Sequence, residues 1–555
     1  MLDQVSKSWQ AHIFDGQLWA NLDLHSFPGL PQETIIRIAQ SSGSFIRSLN
    51  FAGHTGLTPD TMSYIINDLC LKPDLSHNQL SFVNLEGCTS LTIRSLHQLL
   101  VRSRALKSLS LKGLSAVTNT TCDIISNFCP NLISLNMSRC VNMDAEGIRS
   151  LARSAIRRGD HLKLKELRLS GLKNCSDAMM ADLGQAAPIL EILDLSYSRQ
   201  LHSSAIEAFV ACDEDLPACQ TSYADTVLIA PRDLGREPSD FSSKMLRRRV
   251  TRLRHLLLSH CIMLTDVACA NLAYSVPNLE FLELAGIGPD LKDAGLIRLL
   301  QHTPFIRRID LEDSSEITDA VIRIVTPPAS EIQENQVATT KRPGHVLQHL
   351  NISYATNVTD DALLTLIRNC KYLTALEADN TRIGKNVLKE FVRISRQRRT
   401  INARIVAVDC RGISESLVKE LSPMTRPRLA FRRYDARKLN YLDARDGNED
   451  ELKVGQDECD ENRVVIKTFY SWQTVDAVKA IRDKRRKAMG RKVGSDSPNG
   501  TASEIEGGGG TGGGRRRSGY TRWWSPGRRL RNSTTNSGNV SPILQEMNGD
   551  GCLVM

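Results

Sequence analysis

The stretch LRHLLLSHCIMLTD, residues 253–266, decides the fold of this chain because its pattern recurs from residue 80 to residue 384. Comparable stretches begin at residues 80, 106, 132, 164, 190, 279, 306, 347 and 373. The spacing is 26 residues in five of the nine intervals and 27, 32, 41 and 63 in the others. A fixed unit interrupted by insertions is typical of a repeat architecture.

Each unit opens with L-x-x-L-x-L, whose period of two predicts a short strand with its aliphatic side chains turned inward. A helix should follow, starting at pairs such as Thr265-Asp266, Thr318-Asp319 and Thr359-Asp360, where a hydroxyl caps free N–H groups and an acid favours the positive helix end. One unit buries too little to fold alone, so the units must stack. Degenerate units at Ile46–Phe51 and Ile405–Cys410 bring the number to about twelve.

The unit resembles the cysteine-containing leucine-rich repeat, in which the ninth position is often cysteine. Cys88, Cys140 and Cys261 occupy that position here. The resemblance implies an α/β solenoid over residues 26–425, curved, with parallel strands inside and helices outside. Insertions at 212–250 and 327–345 interrupt the period with Pro, Ser and charged residues, which predicts exposed loops.

The first segment, residues 1–25, is similar to the carboxyl half of an F-box, whose pattern is V-x-K-x-W, some nine residues, then L-W-x-x-L-D-L. The matching residues are Val5, Trp9, Leu18, Trp19 and Leu22. The leucine-proline helix with which the family pattern begins would precede Met1. The resemblance implies that these residues contact a Skp-type adaptor of a cullin ubiquitin ligase, while the repeats hold a protein substrate.

The carboxyl-terminal part divides into a cap and acidic linker, residues 426–492, and a disordered basic tail, residues 493–555. The tail ends Cys552-Leu-Val-Met555, which looks like a prenylation box with a preference for farnesyl on Cys552. One lipid gives only marginal attachment, so a second signal is expected. Basic and aromatic residues supply it against an anionic membrane surface: Arg515, Arg516, Arg517, Arg522, Trp523, Trp524, Arg528, Arg529 and Arg531.

Composition narrows the class of protein further. The formal net charge is +9, with the excess of basic residues concentrated in 385–440 and 482–531. Neither a signal peptide nor a run of 18 uncharged apolar residues occurs, which predicts a cytoplasmic protein with peripheral membrane association. The 14 cysteines form no C-x-x-C pair, and no nucleophile motif or phosphate loop stands out, so we expect no metal, no cofactor and no catalytic residue.

Three functions remain open at this point. The first is a non-catalytic substrate receptor of a Skp-cullin-F-box (SCF) ubiquitin ligase, tethered to a membrane. The second is a leucine-rich-repeat scaffold or inhibitor that binds partners without ubiquitination. The third, RNA binding by the Arg-Trp tail, is disfavoured because it leaves Cys552 without a role.

Overall fold

The computed structural model describes residues 16–70, 77–212, 225–236, 245–328, 342–414, 416–418, 420–421 and 464–468. Within them, fourteen short strands form one parallel sheet in chain order, interrupted only where two hairpin strands, Thr226–Ile229 (β8) and Leu246–Arg249 (β9), leave the series. The sheet strands are Asn21–Asp23 (β1), Ser48–Asn50 (β2), Phe82–Asn84 (β3), Ser108–Ser110 (β4), Ser134–Asn136 (β5), Glu166–Arg168 (β6), Ile192–Asp194 (β7), His255–Leu257 (β10), Phe281–Glu283 (β11), Arg308–Asp310 (β12), His349–Asn351 (β13), Ala375–Glu377 (β14), Arg404–Val406 (β15) and Val465–Lys467 (β16).

Helices alternate with the sheet strands and cover one side of the sheet. Those in the described residues are Gln32–Ser42 (α1), Pro59–Asp68 (α2), Ile93–Arg102 (α3), Asn119–Phe128 (α4), Ala145–Arg157 (α5), Asp177–Ala186 (α6), Ser203–Val210 (α7), Asp266–Leu272 (α8), Asp293–Gln301 (α9), Asp319–Ile324 (α10), Asp360–Asn369 (α11) and Lys385–Arg398 (α12). Short 3-10 helices span Gly16–Trp19, Gly43–Phe45 and Pro231–Leu234.

One hydrophobic core runs the length of the sheet. The middle residue of every sheet strand points into it and is buried, as Leu49 in β2 and Leu282 in β11 show, while most flanking residues are half-exposed. The core cluster is continuous from Leu22 to Ile466. The predicted leucine-rich-repeat solenoid is therefore confirmed, with a strand in each of the ten clear units and in both degenerate ones.

Two strands of the parallel sheet lie outside the predicted repeats. β1 falls inside the segment assigned to the partial F-box, and Leu22 at its centre pairs with Leu49 of β2. β16 falls inside the predicted cap and pairs in parallel with β15, where Val464 and Ile466 are buried. The helical part of the predicted cap and the predicted disordered tail lie outside the described residues.

The ninth-position cysteines join successive repeats. Their Sγ–H groups donate to a carbonyl of the preceding repeat, Cys88 to Phe51 at 3.1 Å, Cys140 to Leu111 at 3.3 Å and Cys261 to Leu195 at 3.2 Å. Burial raises the pKa of the Cys88 thiol to about 12 and that of Cys261 to about 12, so both remain neutral donors. A small apolar side chain with one weak donor suits this position.

Acids at the helix starts also join repeats, in addition to the dipole role that the sequence predicts. Asp319 Oδ1 accepts from the Thr359 N–H at 2.7 Å and its Oδ2 accepts from the Thr359 hydroxyl at 2.7 Å. Asp360 accepts from the Gly384 N–H at 2.8 Å, and Asp266 accepts from that of Gly295 at 3.1 Å. Each acid thus satisfies a backbone donor at the start of the next helix.

The prediction of an exposed loop over 212–250 is wrong for its described parts. Thr226–Ile229 (β8) and Leu246–Arg249 (β9) pair antiparallel, and Pro231–Leu234 is a 3-10 helix. Arg248, whose side chain is 2% exposed, donates to Glu207 Oε1 of α7 at 2.6 Å, and Arg236 reaches the same oxygen at 2.6 Å. A buried charge is tolerated because this carboxylate pairs with it. Residues 329–341 of the second insertion lie outside the described residues.

Candidate functional site

The sheet presents one face that the helices do not cover, called here the open face. Each three-residue sheet strand turns its first and third residues toward it, and the parallel register places equivalent residues side by side. Two rows result. From β2 to β15, the first row is Ser48, Phe82, Ser108, Ser134, Glu166, Ile192, His255, Phe281, Arg308, His349, Ala375 and Arg404, and the second is Asn50, Asn84, Ser110, Asn136, Arg168, Asp194, Leu257, Glu283, Asp310, Asn351, Glu377 and Val406.

The first part of the open face is uncharged. From β2 to β5 the rows contain serine and asparagine with a single aromatic, Phe82. The asparagines stabilise the turns that follow the strands, since Asn84 Oδ1 accepts from the Glu86 N–H at 3.1 Å and Asn136 Oδ1 from that of Ser138 at 3.1 Å. Much of the hydrogen-bonding capacity of this part is therefore used within the fold.

The second part is charged, and the two rows differ in sign. From β10 to β15 the first row includes His255, Arg308, His349 and Arg404, whereas the second includes three acids, one of them Glu377. The first residue of each strand lies nearer its amino end and the third nearer its carboxyl end, so basic groups lie toward the amino ends of the strands and acids toward the carboxyl ends. A partner that binds across the rows meets both signs in a fixed order.

Part of this charge is neutralised within the face. Arg404 Nη2 lies 2.6 Å from Glu377 Oε1, and His349 Nε2 lies 3.0 Å from the same oxygen. The hydrogen bond from His349 is the main reason why the pKa of Glu377 is lowered. Arg308 is less tightly engaged, with its Nη2 at 3.3 Å from Glu283 and 3.7 Å from Asp310.

The carboxyl edge retains excess negative charge. Burial raises the pKa of Glu283 and that of Glu312, with Asp310 adding to both. Burial, followed by the charges of Glu377 and Glu312, raises the pKa of Asp379 to about 6. Carboxylates whose pKa values rise because of one another lie in a negative potential that a cationic partner would relieve.

The same edge carries a row of residues with left-handed backbone. The eighth position of each unit has φ between 52° and 83°, and its N–H donates to the next repeat, as Tyr197 does to Ser259 at 2.7 Å. Glycine suits this conformation best, yet the position holds Tyr197, His260 and Tyr354. The two tyrosines are 48% and 43% exposed, and the rings of Tyr197 and His260 stack with centroids 4.6 Å apart.

A depression of about 350 Å³ lies at the opposite, amino edge. Phe281, Arg308, His349 and Arg404 are among its lining residues. Its lining places guanidinium groups beside an aromatic ring, and both kinds of group can bind a ligand. Among the described residues, no group of three or more His, Cys, Asp or Glu side chains could hold a metal ion.

The residues predicted to contact an adaptor have different environments. Leu18 is 66% exposed, Trp19 is half-buried against the core, and Leu22 is 1% exposed at the centre of β1. Val5 and Trp9 lie outside the described residues. So do Cys552 and the basic tail segment with its arginines and tryptophans. Within the described part of the chain, no helix is long and apolar enough to span a bilayer.

The L-x-x-L-x-L pattern also predicts that the charged residues between its aliphatic positions are exposed, and these residues lie on or beside the open face. Arg168, Asp310 and Glu377 belong to the second row, and Lys107, Arg254 and Arg307 directly precede a strand, whereas Lys112 follows one and pairs with Glu86 at 2.5 Å. Tyr197, His260, Tyr354 and Asp379 are not among the residues that the sequence predicts for the site. Aligning the repeats on their eighth position would have revealed the aromatic residues, because glycine fills that position in five of the other units.

The described residues form a leucine-rich-repeat solenoid whose parallel sheet has one face that the helices leave uncovered. No protein-family model matches the chain. Among solved structures, it is similar to a chain in the crystal structure of a Rad7 and Elc1 complex in yeast, with 17% identity and a TM-score of 0.39 over 74% of this chain and 92% of that one. It is also similar to a TLR13–ssRNA13 complex, with 17% identity and a TM-score of 0.35 over 63% of this chain and 38% of that one.

Proposed function

We propose that the chain is the substrate-recognition subunit of a Skp-cullin-F-box type ubiquitin ligase, with the open face holding the protein substrate. The chemistry of such a subunit is proximity, because it raises the effective concentration of a substrate lysine near an activated thioester on another subunit. The chain itself supplies no catalytic residue in this proposal.

One observation carries the proposal. The F-box-like segment is continuous with the sheet, since Leu22 pairs with Leu49 through β1 and β2 and Trp19 packs against the same core. An adaptor bound at Leu18 and the residues before it would be fixed relative to a substrate on the open face. A rigid connection of this kind is what a proximity mechanism requires.

The burial of Leu22 favours a second candidate function. A side chain that is 1% exposed contacts no adaptor, so the adaptor surface would depend on Leu18, Trp19 and the preceding residues. A scaffold or inhibitor that binds partners on the open face without ubiquitination needs no adaptor surface.

Adaptor capture separates the two functions. Purified full-length chain should retain a recombinant Skp-type adaptor, and Leu18→Asp should lower the retained amount at least tenfold. Leu228→Asp is the matched control because Leu228 is 62% exposed on the hairpin, far along the chain from the F-box-like segment. The double variant Trp9→Ala, Trp19→Ala should behave like Leu18→Asp. If the wild-type chain retains no adaptor, the scaffold function replaces the receptor function.

Membrane attachment is proposed from the sequence of the tail. A farnesyl group on Cys552 would act together with seven arginines in residues 515–531, each adding up to about 1 kcal/mol against anionic lipid. Cys552→Ser should move the protein from the membrane pellet to the supernatant of a cell fractionation. An unchanged distribution would eliminate the lipid, and RNA crosslinks at Trp523 and Trp524 would instead support nucleic-acid binding by the tail.

A further inference from the structure

The carboxyl edge of the open face carries a group of exposed aromatic and apolar side chains. Tyr197 stacks on His260, and the next repeat has Gly286, where an added Cβ would collide with the His260 ring. The His260 ring therefore extends over Gly286 toward the following repeat. Tyr354 continues the row two repeats further on. We call Tyr197, His260 and Tyr354 the aromatic ridge.

The ridge is extended by apolar side chains that the fold leaves in water. Ile262 and Met263, in the same turn as His260, are 53% and 47% exposed. Tyrosine and methionine are enriched in the cores of protein interfaces, and an exposed apolar patch on a soluble repeat protein marks a contact site. The ridge therefore has the composition of a protein-binding surface.

The charges beside the ridge select the kind of partner. The Tyr354 N–H donates to the Asp379 carbonyl at 2.8 Å, and the side chain of Asn351, in the same repeat as Tyr354, donates to Glu312 at 3.4 Å. Burial raises the pKa of Tyr354, and the charges of Glu312 and Asp379 raise it further. Within the described part of the chain, neither Glu312 nor Asp379 forms an ion pair with lysine or arginine, unlike Glu377, which Arg404 engages. Aromatic faces beside unneutralised carboxylates bind guanidinium and ammonium groups by cation–π attraction and ion pairing.

We propose that the aromatic ridge, with Glu312 and Asp379, binds a lysine- or arginine-bearing segment of the partner polypeptide. The cationic side chain lies against Tyr354 between the two carboxylates, and apolar residues of the same segment cover Tyr197 and Met263. A basic segment of this kind gives the chemical class of what the open face recognises in the proposed function. The proposal rests on that function only in that the occupant is a protein.

Peptide binding to the purified full-length chain tests this inference. The probes are two fluorescein-labelled 15-residue peptides of equal length that share two leucines and a tyrosine, one with five arginines or lysines and the other with glutamates in their place. Fluorescence anisotropy at 150 mM salt should give at least tenfold tighter binding of the basic peptide. Tighter binding of the acidic peptide would overturn the proposal and assign recognition to the arginines of the first row.

Variants locate the binding to the ridge. The double variant Glu312→Gln, Asp379→Asn should bind the basic peptide at least tenfold more weakly. The control Glu146→Gln, Asp361→Asn removes two exposed acids from the helices, and it should change the affinity for this peptide less than twofold. Equal losses of affinity in the two double variants would show non-specific electrostatic attraction and would refute the site.

The aromatic part of the ridge has its own variant. The double variant Tyr197→Asn, Tyr354→Asn should bind the basic peptide at least fivefold more weakly. Its melting temperature should not fall, because asparagine already occupies the same left-handed position in another repeat, at Asn380. Unchanged binding in this variant would refute the role of the aromatic rings. Peptide binding needs no adaptor, so failure of adaptor capture and failure of this inference give different results.

Discussion

Replacing Asp319 by alanine should weaken the joint between two successive repeats by about 2 kcal/mol. Its carboxylate, 19% exposed, accepts from the N–H and from the hydroxyl of Thr359 at 2.7 Å each. Hydrogen bonds to a charged acceptor contribute about 1.5–3 kcal/mol each in a protected site. Thr359 is exposed, and competition from water reduces the pair to about 2 kcal/mol.

Because Asp319 connects two repeats, its replacement should change the order in which the repeats unfold. A repeat array is stabilised by interfaces between neighbours, so a weakened joint lets the repeats on one side unfold before the rest. For Asp319→Ala, urea unfolding followed by circular dichroism should show a lower midpoint and a shallower slope. Hydrogen exchange should lose protection in residues 342–414 and retain it in residues 77–212.

Two control variants make the test specific. Asp361→Ala removes an exposed acid from the first turn of α11, where only a helix-dipole effect of about 0.3–1 kcal/mol is at stake. Asp319→Asn keeps one acceptor and should give an intermediate midpoint. A midpoint for Asp319→Ala no lower than that for Asp361→Ala, or a uniform loss of protection, would refute the role of this acid as a joint between repeats.

Other predictions concern the core and the charged edge. Cys261→Ala should lower the free energy of unfolding by about 1–2 kcal/mol in urea titration, because it removes the Sγ–H donor to Leu195 and leaves a small void. In the native protein at pH 8, Cys261 should resist a thiol reagent, since its pKa is about 12. Asp379 has its pKa raised from 3.8 to about 6 in the fold, so the native state binds the extra proton between these values and the stability contribution of this group falls as pH rises from 4 to 7. Asp379→Asn should remove that part of the pH dependence of the melting temperature, and identical pH profiles for wild type and variant would contradict the assignment.

The repeat unit was predictable from sequence because its determinants are local. Leu256, Leu258 and Cys261 lie within six residues, and a strand with alternating burial follows from their spacing alone. The hairpin at 226–249 was not predictable in this way. Its position depends on the pairing of Arg248 with Glu207, two residues whose sequence neighbourhood gives no sign of the contact.

The charged face shows the same division. That Arg168, Asp310 and Glu377 would be solvent-facing followed from their places in the L-x-x-L-x-L pattern. That Asp379 would have a pKa of about 6 did not, because the shift depends on burial and on Glu312, which belongs to a repeat separated from it by an insertion.

The sequence by itself determined the period, the strand in each unit and the continuous row of aliphatic side chains, since these depend on residues a few positions apart. The tertiary structure alone decided which repeats become neighbours across the insertions, as when His255 pairs with Ile192 despite the 62 residues between them. It also decided which acids join repeats and where exposed aromatic side chains meet unneutralised carboxylates. Those properties depend on distances between residues that are remote in the chain, and only the stacking of the units sets these distances.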